Sequence, residues 1–239
     1  MFLLLHRWIW NDRQRCARKL LDFADTEADG GRDLVRAAEL TEDPLLRRLF
    51  LVHAVDEGRH AQLFRGRGTA LLRGLHAGAA RSLRLNWVSP GERGLDDLRV
   101  HQQSDASLLA FLHLSEKTAA GHFASYAQAL KDDPMTSSVF KQVLKDETFH
   151  MNYTLAQLTR VAPRHHGMLL WKARLNRLWK AWLRLMSAIA GVMGSIILTL
   201  QYFILLPPFA LLAKRAEKRE PAGWRDIPPE TDHSLNSQY

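Results

Sequence analysis

Hydrophobic and polar positions alternate over no useful length of this chain, so the pattern predicts no β-strand. Helix-forming residues dominate from about residue 32 to 65 and from about 95 to 160, where glycine and proline are sparse. The predicted fold class is therefore all-α. We predict helices over roughly residues 11–39, 44–65, 100–130 and 134–161.

The predicted helices are joined by one long connection and two short ones. Asp43-Pro44 and Asp133-Pro134 each indicate a helix stop followed by a restart, because proline suits the first turn of a helix. Residues 66–99 hold six glycines and one proline and predict a long crossover. We therefore expect residues 1–163 to form a four-helix bundle with the crossover between helices 2 and 3. The apolar start, residues 1–10, is predicted to be a flap rather than a signal peptide.

The C-terminal region has a different pattern. Residues 185–213 contain no charged side chain, and this length suffices to cross a bilayer. Pro207-Pro208 is predicted to break any helix near its end. The alternative, a helix buried within the soluble fold, lacks a second apolar domain that could bury it. Beyond it, residues 214–239 are predicted to be a polar, disordered tail.

Charge distinguishes the tail from the bundle. The formal net charge is +8, and most of it belongs to the region after residue 163. Six basic residues and no acidic one lie in residues 164–184, interleaved with leucine and tryptophan, which predicts an amphipathic helix on an anionic lipid surface rather than nucleic-acid binding. Basic residues also follow the apolar run. A single crossing and a shallow or re-entrant insertion of residues 185–213 therefore both stay open.

One short motif occurs twice. Asp56-Glu57-Gly58-Arg59-His60 and Asp146-Glu147-Thr148-Phe149-His150 lie on the second and fourth helices. Glu27 and Glu116 lie 30 and 31 residues before Glu57 and Glu147, on the first and third helices. Glutamate and histidine at i, i+3 share one face of a helix, so both can reach one point in a core.

Two such pairs and two further glutamates supply six ligands, which suits two divalent metal ions bridged by carboxylates. The histidine nitrogens favour iron or manganese over magnesium or calcium. Glu27 is the weakest assignment, because Asp29 or Asp33 could replace it. The neighbouring Gly30-Gly31 pair indicates either a functional kink or π-type bulge, or simply a poor helix.

These motifs resemble the ferritin-like di-iron superfamily over about residues 12–161. The resemblance implies two iron ions, with manganese as the alternative metal, and a second aspartate in each motif, Asp56 and Asp146, that accepts the ring N–H of a ligand histidine. Asp-Glu-x-Arg-His is similar to the form in bacterial multicomponent monooxygenases and acyl-carrier desaturases, which favours O2 as co-substrate over iron storage. The ligands that the resemblance implies are Glu27, Glu57, His60, Glu116, Glu147 and His150.

Other residues are open to two interpretations. His53 and His113 are either neighbours of the metal ligands or ordinary buried histidines, and Arg59 is either part of the oxygenase-type motif or a surface cation. The single cysteine, Cys16, is interpreted as a small residue of the first helix, and it excludes a rubredoxin-type centre within one chain. Four aromatic residues are expected in the core, with one of them as a candidate for lining a pocket: Phe111, Phe123, Tyr126 and Phe149.

The predicted function is a membrane-anchored di-iron oxidase or oxygenase that uses O2 to hydroxylate, desaturate or oxidise a lipophilic substrate. It would be similar to the membrane-associated hydroxylases of quinone biosynthesis. The alternative is a ferroxidase, iron-handling or peroxide-scavenging protein at the membrane. Expected partners are the bilayer, the lipophilic substrate and an electron donor, with a homodimer left open. The catalytic domain is expected on the cytoplasmic side.

Overall fold

The computed structural model describes residues 9–73, 98 and 100–217. Within these residues the chain is helical and contains no strand, which confirms the all-α prediction. Residues 1–8 of the predicted flap, most of the predicted crossover and residues 218–239 of the predicted tail lie outside the described residues. The α-helices, in chain order, are α1 (Arg13–Leu40), α2 (Pro44–Leu72), α3 (Asp105–Ala129), α4 (Pro134–Val161) and α5 (His166–Glu217).

The helices pair as two hairpins that contact each other. α1 packs along α2, α3 packs along α4, and α2 also contacts α4. Asp43 and Asp133 accept hydrogen bonds from backbone N–H groups in the first turns of α2 and α4, as the predicted restarts require. Each capping aspartate also binds an arginine of the opposite hairpin: Arg160 of α4 pairs with Asp43, and Arg67 of α2 with Asp133. The two hairpins are therefore linked reciprocally at both ends.

The predicted end of the second helix was wrong. α2 continues past Arg65 and through Gly66 and Gly68 to Leu72. Gly68 is buried, and a Cβ atom there would lie 3.1 Å from Leu21 Cγ of α1. The close contact between the helices compensates for the poor helix propensity of glycine, which is why the helix persists. The predicted start of the third helix is instead a short 3-10 turn, Val100–Gln102.

The chain divides into two compact units, residues 1–180 and 181–239. α5 begins in the first unit, where Leu169 and Leu170 pack against the apolar core. In the second unit α5 runs through Pro207 and Pro208, so the predicted break was wrong. Because the φ angle of proline is helical, the chain loses hydrogen bonds there without having to turn.

α5 is the one described helix that is long and apolar enough to cross a membrane, judged by length and composition. None of its most apolar stretch is buried within the protein. Large apolar side chains such as Leu198 and Phe203, both 67% exposed, face outward there. Within the described residues nothing buries this stretch.

Candidate metal centre

The six predicted ligands lie midway along α1 to α4, between two apolar clusters. One cluster is centred on Phe64, Phe123 and Phe140, and the other on Phe50 and Leu109. On each of the four helices, the predicted ligands fall between the positions that supply the two clusters. Five of the six are buried, and the sixth, Glu27, has an 11% exposed side chain. Polar side chains of this kind are seldom buried together without a shared function.

Among the residues that the structure describes, two groups of four side chains bring their ligand-type atoms within 4.8 Å of one another, and the groups share Glu57. A shared carboxylate is the arrangement that two bridged ions require. Glu27, Glu57, His60 and Glu147 form the first, hereafter the Glu27 group. His53, Glu57, Glu116 and His150 form the second, hereafter the His53 group. All six predicted ligands therefore come together, and His53 joins them.

The histidine of each motif contacts the aspartate of the other motif. His60 Nε2 on α2 lies 3.2 Å from Asp146 Oδ2 on α4, and His150 Nε2 lies 3.1 Å from Asp56 Oδ2. Arg59 donates hydrogen bonds to both aspartates at 2.8 Å. Because Nε2 of each histidine is engaged in this way, Nδ1 is the nitrogen that remains to face the glutamates.

Several buried atoms at the centre have no hydrogen-bond partner in the described part of the chain: His60 Nδ1, His150 Nδ1 and both carboxylate oxygens of Glu147. His60 Nδ1 lies 3.3 Å from Glu147 Oε1, but the two are not aligned for a hydrogen bond. Each orphaned buried polar group costs about 1–3 kcal/mol. Nitrogen lone pairs and carboxylate oxygens that converge in this way fit bound metal ions, and the mixture of imidazole and carboxylate suits iron or manganese.

The electrostatics of the ion-free centre are unfavourable. Burial raises the pKa of Glu57 and Glu116 well above the usual value, and neighbouring carboxylates raise both further. Burial also raises the pKa of Glu27. Burial, followed by repulsion from other imidazoles, lowers the pKa of His53, while burial also dominates the lowering for His150. Bound cations would offset the carboxylate repulsion and could use His53 and His150 as neutral imidazoles. Burial lowers the pKa of His60, but the neighbouring carboxylates of Glu147 and Glu27 outweigh burial and raise it overall, so a cation would displace a proton there.

His53 was one of the residues whose role the sequence left open. Its Nε2 lies 2.9 Å from Glu57 Oε1, and its ring stacks on that of His150 with centroids 3.7 Å apart. Its Nδ1 lies 2.7 Å from the hydroxyl of Tyr153. One sequence signal could have placed it: His53, Glu57 and His60 occupy i, i+4 and i+7, which is one helix face.

The other residues that the sequence left open lie outside the two ligand groups. Asp29 and Asp33 line a cavity beside the centre but belong to neither group. His113 is buried and donates to the carbonyl of Met151, outside both groups. Phe149, expected in the core, is 51% exposed, and its ring lies beside those of His150 and Tyr153. The Gly30-Gly31 pair lies within an unbroken α-helix, so α1 does not contain the π-type bulge that was one of the two alternatives.

A cavity of about 650 Å³ opens beside the His53 group. Glu27, Glu57, Glu116 and His53 contribute to its wall. Arg177 of α5 also borders it and donates to the carbonyl of Leu114 at 2.8 Å. The remaining wall is apolar over most of its area, with Phe23, Leu34, Leu98, Leu108, Phe111, Leu112 and Phe123, and also includes the polar residues Thr26, Asp29, Asp33, Ser115, Thr118 and His122. The arrangement places a mainly apolar chamber directly against the carboxylates.

Comparisons of this chain with protein-family models, with curated proteins and with solved structures found no match.

Proposed function

We propose that this chain is a membrane-anchored, di-iron oxidoreductase of the ferritin-like type that uses O2 to hydroxylate, desaturate or oxidise a lipophilic substrate. The observation that carries the proposal is the pair of ligand groups that share Glu57 and border a largely apolar cavity. The two helix hairpins, with ligands on all four helices, agree with a ferritin-like bundle.

The residues of the centre fit distinct tasks. The Glu27 group and the His53 group would each hold one iron ion, with manganese as the alternative. Two bound iron ions would supply the electrons with which O2 is reduced. Asp56 and Asp146 accept hydrogen bonds from Nε2 of the ligand histidines and keep Nδ1 directed at the glutamates. Arg59 offsets the negative charge of both aspartates.

A lipophilic substrate fits the cavity and the tail. The apolar part of the wall favours a hydrocarbon or aromatic group, while the carboxylates lie at one side. The helix that supplies Arg177 also contains the exposed apolar stretch. A bilayer-dissolved molecule would satisfy both features, whereas storage of inorganic iron needs neither.

To test this, reduced, iron-loaded full-length protein is reconstituted in vesicles made from a total membrane lipid extract. The vesicles are then given a chemical reductant and 18O-labelled O2. We expect O2 consumption well beyond the amount that oxidises the bound iron. Mass spectrometry should detect a lipid-soluble product that carries 18O or has lost two hydrogens, and Glu57→Ala should not form it. O2 consumption that leaves all lipids unchanged would favour the ferroxidase alternative.

A further inference from the structure

His53 and Tyr153 interrupt an internal repeat. The two halves of the bundle match at a spacing of ninety positions: Asp43 with Asp133, Phe50 with Phe140, Asp56 with Asp146, Glu57 with Glu147, and His60 with His150. At the same spacing, His53 corresponds to Val143, and Tyr153 corresponds to Leu63. Each half therefore has one of the two polar rings, His53 in the first half and Tyr153 in the second, where the other half has an aliphatic residue.

The aliphatic counterparts, Val143 and Leu63, show which side chains the fold accepts at these two positions. Val143 is fully buried in an apolar cluster, and Leu63 packs against the same cluster. His53 is equally inaccessible, at 1% exposure, although burying an imidazole costs more than burying valine. A purely structural position would be filled more favourably by an aliphatic side chain, so the histidine needs another reason.

The atoms around His53 have the spacing of ligands on one ion. Metal–ligand bonds of about 2.1 Å put neighbouring ligand atoms about 3–4 Å apart. His53 Nε2 lies 2.9 Å from Glu57 Oε1 and 3.7 Å from Glu116 Oε1. His150 Nδ1 also lies 3.7 Å from Glu57 Oε1. Nε2 of His53 therefore occupies the same shell as three predicted ligand atoms.

We propose that His53 is a third histidine ligand and binds, through Nε2, the metal ion of the His53 group. This inference rests on the di-metal centre of the proposed function. Tyr153 selects the tautomer: when its hydroxyl accepts a hydrogen bond from Nδ1–H, the lone pair of Nε2 is left for the metal. His53 thus uses the opposite ring nitrogen from His60 and His150, whose Nε2 atoms are held by aspartates.

The two metal positions then differ in chemistry. The His53 group offers two imidazoles and two carboxylates, whereas the Glu27 group offers one imidazole and three carboxylates. Nitrogen-rich sites favour borderline metals such as Zn2+ and Co2+ more strongly than oxygen-rich sites do. Zn2+ and Co2+ should therefore bind in two separable steps, with the His53 group filled first.

The first test is NMR spectroscopy of full-length protein that carries 15N-labelled histidine, in detergent, during titration with Zn2+. We expect three imidazoles to acquire a metal-bound nitrogen, two at Nδ1 and one at Nε2. Two Zn2+ ions bound with only two ligated imidazoles would overturn the inference and leave the di-metal centre intact. Failure to bind any Zn2+ or iron would instead contradict the proposed function itself.

The second test compares His53→Val, which installs the residue of the other half, with His113→Val as a buried control outside both groups. Loss of even an outer partner of a ligand costs about 10–100-fold in metal affinity, so His53→Val should weaken one of two Co2+ binding steps at least ten-fold. His113→Val should bind both ions like the wild type. Unchanged affinity of His53→Val for both ions would overturn the inference. If His53→Val does not fold, the NMR count of ligated imidazoles in the wild type decides.

Discussion

At the scale of single residues, Arg59 connects the two motifs. Its guanidinium binds Asp56 of its own helix and Asp146 of α4. Those aspartates in turn hold His150 and His60, so one cation orients two histidines from outside the ligand shell. The sequence alone left Arg59 open to a surface role. Its function depends on the distance between two helices, which a motif on one helix does not contain.

Arg59→Gln should weaken metal binding by about 10–100-fold while the helical circular dichroism is retained. The reason is that both aspartates lose the charge that holds them against the histidines. Arg65→Gln is the matched control, since Arg65 pairs only with Asp25 among the contacts seen and that pair is exposed. Anaerobic Co2+ titrations measure both variants. Equal affinities would show that Arg59 does not support the centre.

Stabilisation by metal should grow as pH rises. In the ion-free protein the pKa values of Glu57 and Glu116 lie well above the usual 4.5, because of burial first and neighbouring carboxylates second. Above pH 4.5 the unfolded chain has released protons that the folded, ion-free protein still holds, so these groups contribute less stability as pH rises toward their raised values. Metal binding displaces the protons and removes this penalty.

The measurement is the melting temperature with and without anaerobic Fe2+ at several pH values. The increase caused by Fe2+ should be larger at about pH 8 than at about pH 5.5. Glu57→Gln, which cannot release a proton, should show a weaker dependence. An increase that is independent of pH in the wild type would contradict the buried, protonated carboxylates.

At the scale of helices, a glycine sets how closely α1 approaches the centre. A Cβ atom on Gly31 would lie 3.3 Å from both the carbonyl oxygen of Ala54 and Cβ of Glu57. A Cβ atom on the preceding Gly30 would meet nothing within 4 Å. The pair therefore contains its own control: one position at a tight contact and one facing open space on the same helix.

Gly30→Ala should stabilise the bundle by up to about 1 kcal/mol through helix propensity. Gly31→Ala gains the same propensity but must push α1 away from α2, at a cost of about 1–3 kcal/mol. Chemical unfolding should therefore find Gly31→Ala less stable than Gly30→Ala, and Co2+ should bind Gly31→Ala more weakly. Two equally stable variants would mean that the close approach at Glu57 is unimportant.

Helix hairpins were predictable here because their signals are local. Asp43-Pro44 and Asp133-Pro134 each supply an N-cap and the first residue of a helix. The i, i+3 spacing of Glu57 and His60 places both side chains on one face of α2. The end of α2 was not predictable, since Gly68 is stabilised in the helix by contact with α1. The role of His53 stayed open for a similar reason: its Tyr153 partner lies a hundred positions away, on α4.

At the scale of the whole molecule, the apolar stretch of α5 requires a covering that the described residues do not supply. Full-length protein should sediment with membranes and resist extraction by high salt, because salt screens charge but not apolar burial. A chain that ends at Lys180 keeps the first compact unit, so it should fold and bind iron. It should bind anionic vesicles only at low salt, and neutral vesicles hardly at all.

Vesicle sedimentation at low and high salt separates these cases. Full-length protein that is soluble without detergent would mean that residues 185–213 are covered by an oligomer or by another part of the chain. The lipophilic substrate would then lose a main support, and the ferroxidase alternative would gain. Whether the helix crosses the bilayer or inserts from one side stays a separate question, which accessibility labelling of residues 214–219 in sealed vesicles addresses.

The central claim is a bridged two-metal centre that depends on Glu57. Its most direct measurement is the iron content of purified protein after anaerobic loading with Fe2+, with Mössbauer spectroscopy before and after exposure to O2. The wild type should hold two irons per chain, magnetically coupled after oxidation. Glu57→Ala should hold at most one with its helical circular dichroism retained, whereas Glu39→Ala, at an exposed position paired with Arg36, should hold two. A wild-type protein without bound iron, or a Glu57→Ala variant that keeps two, would contradict the account.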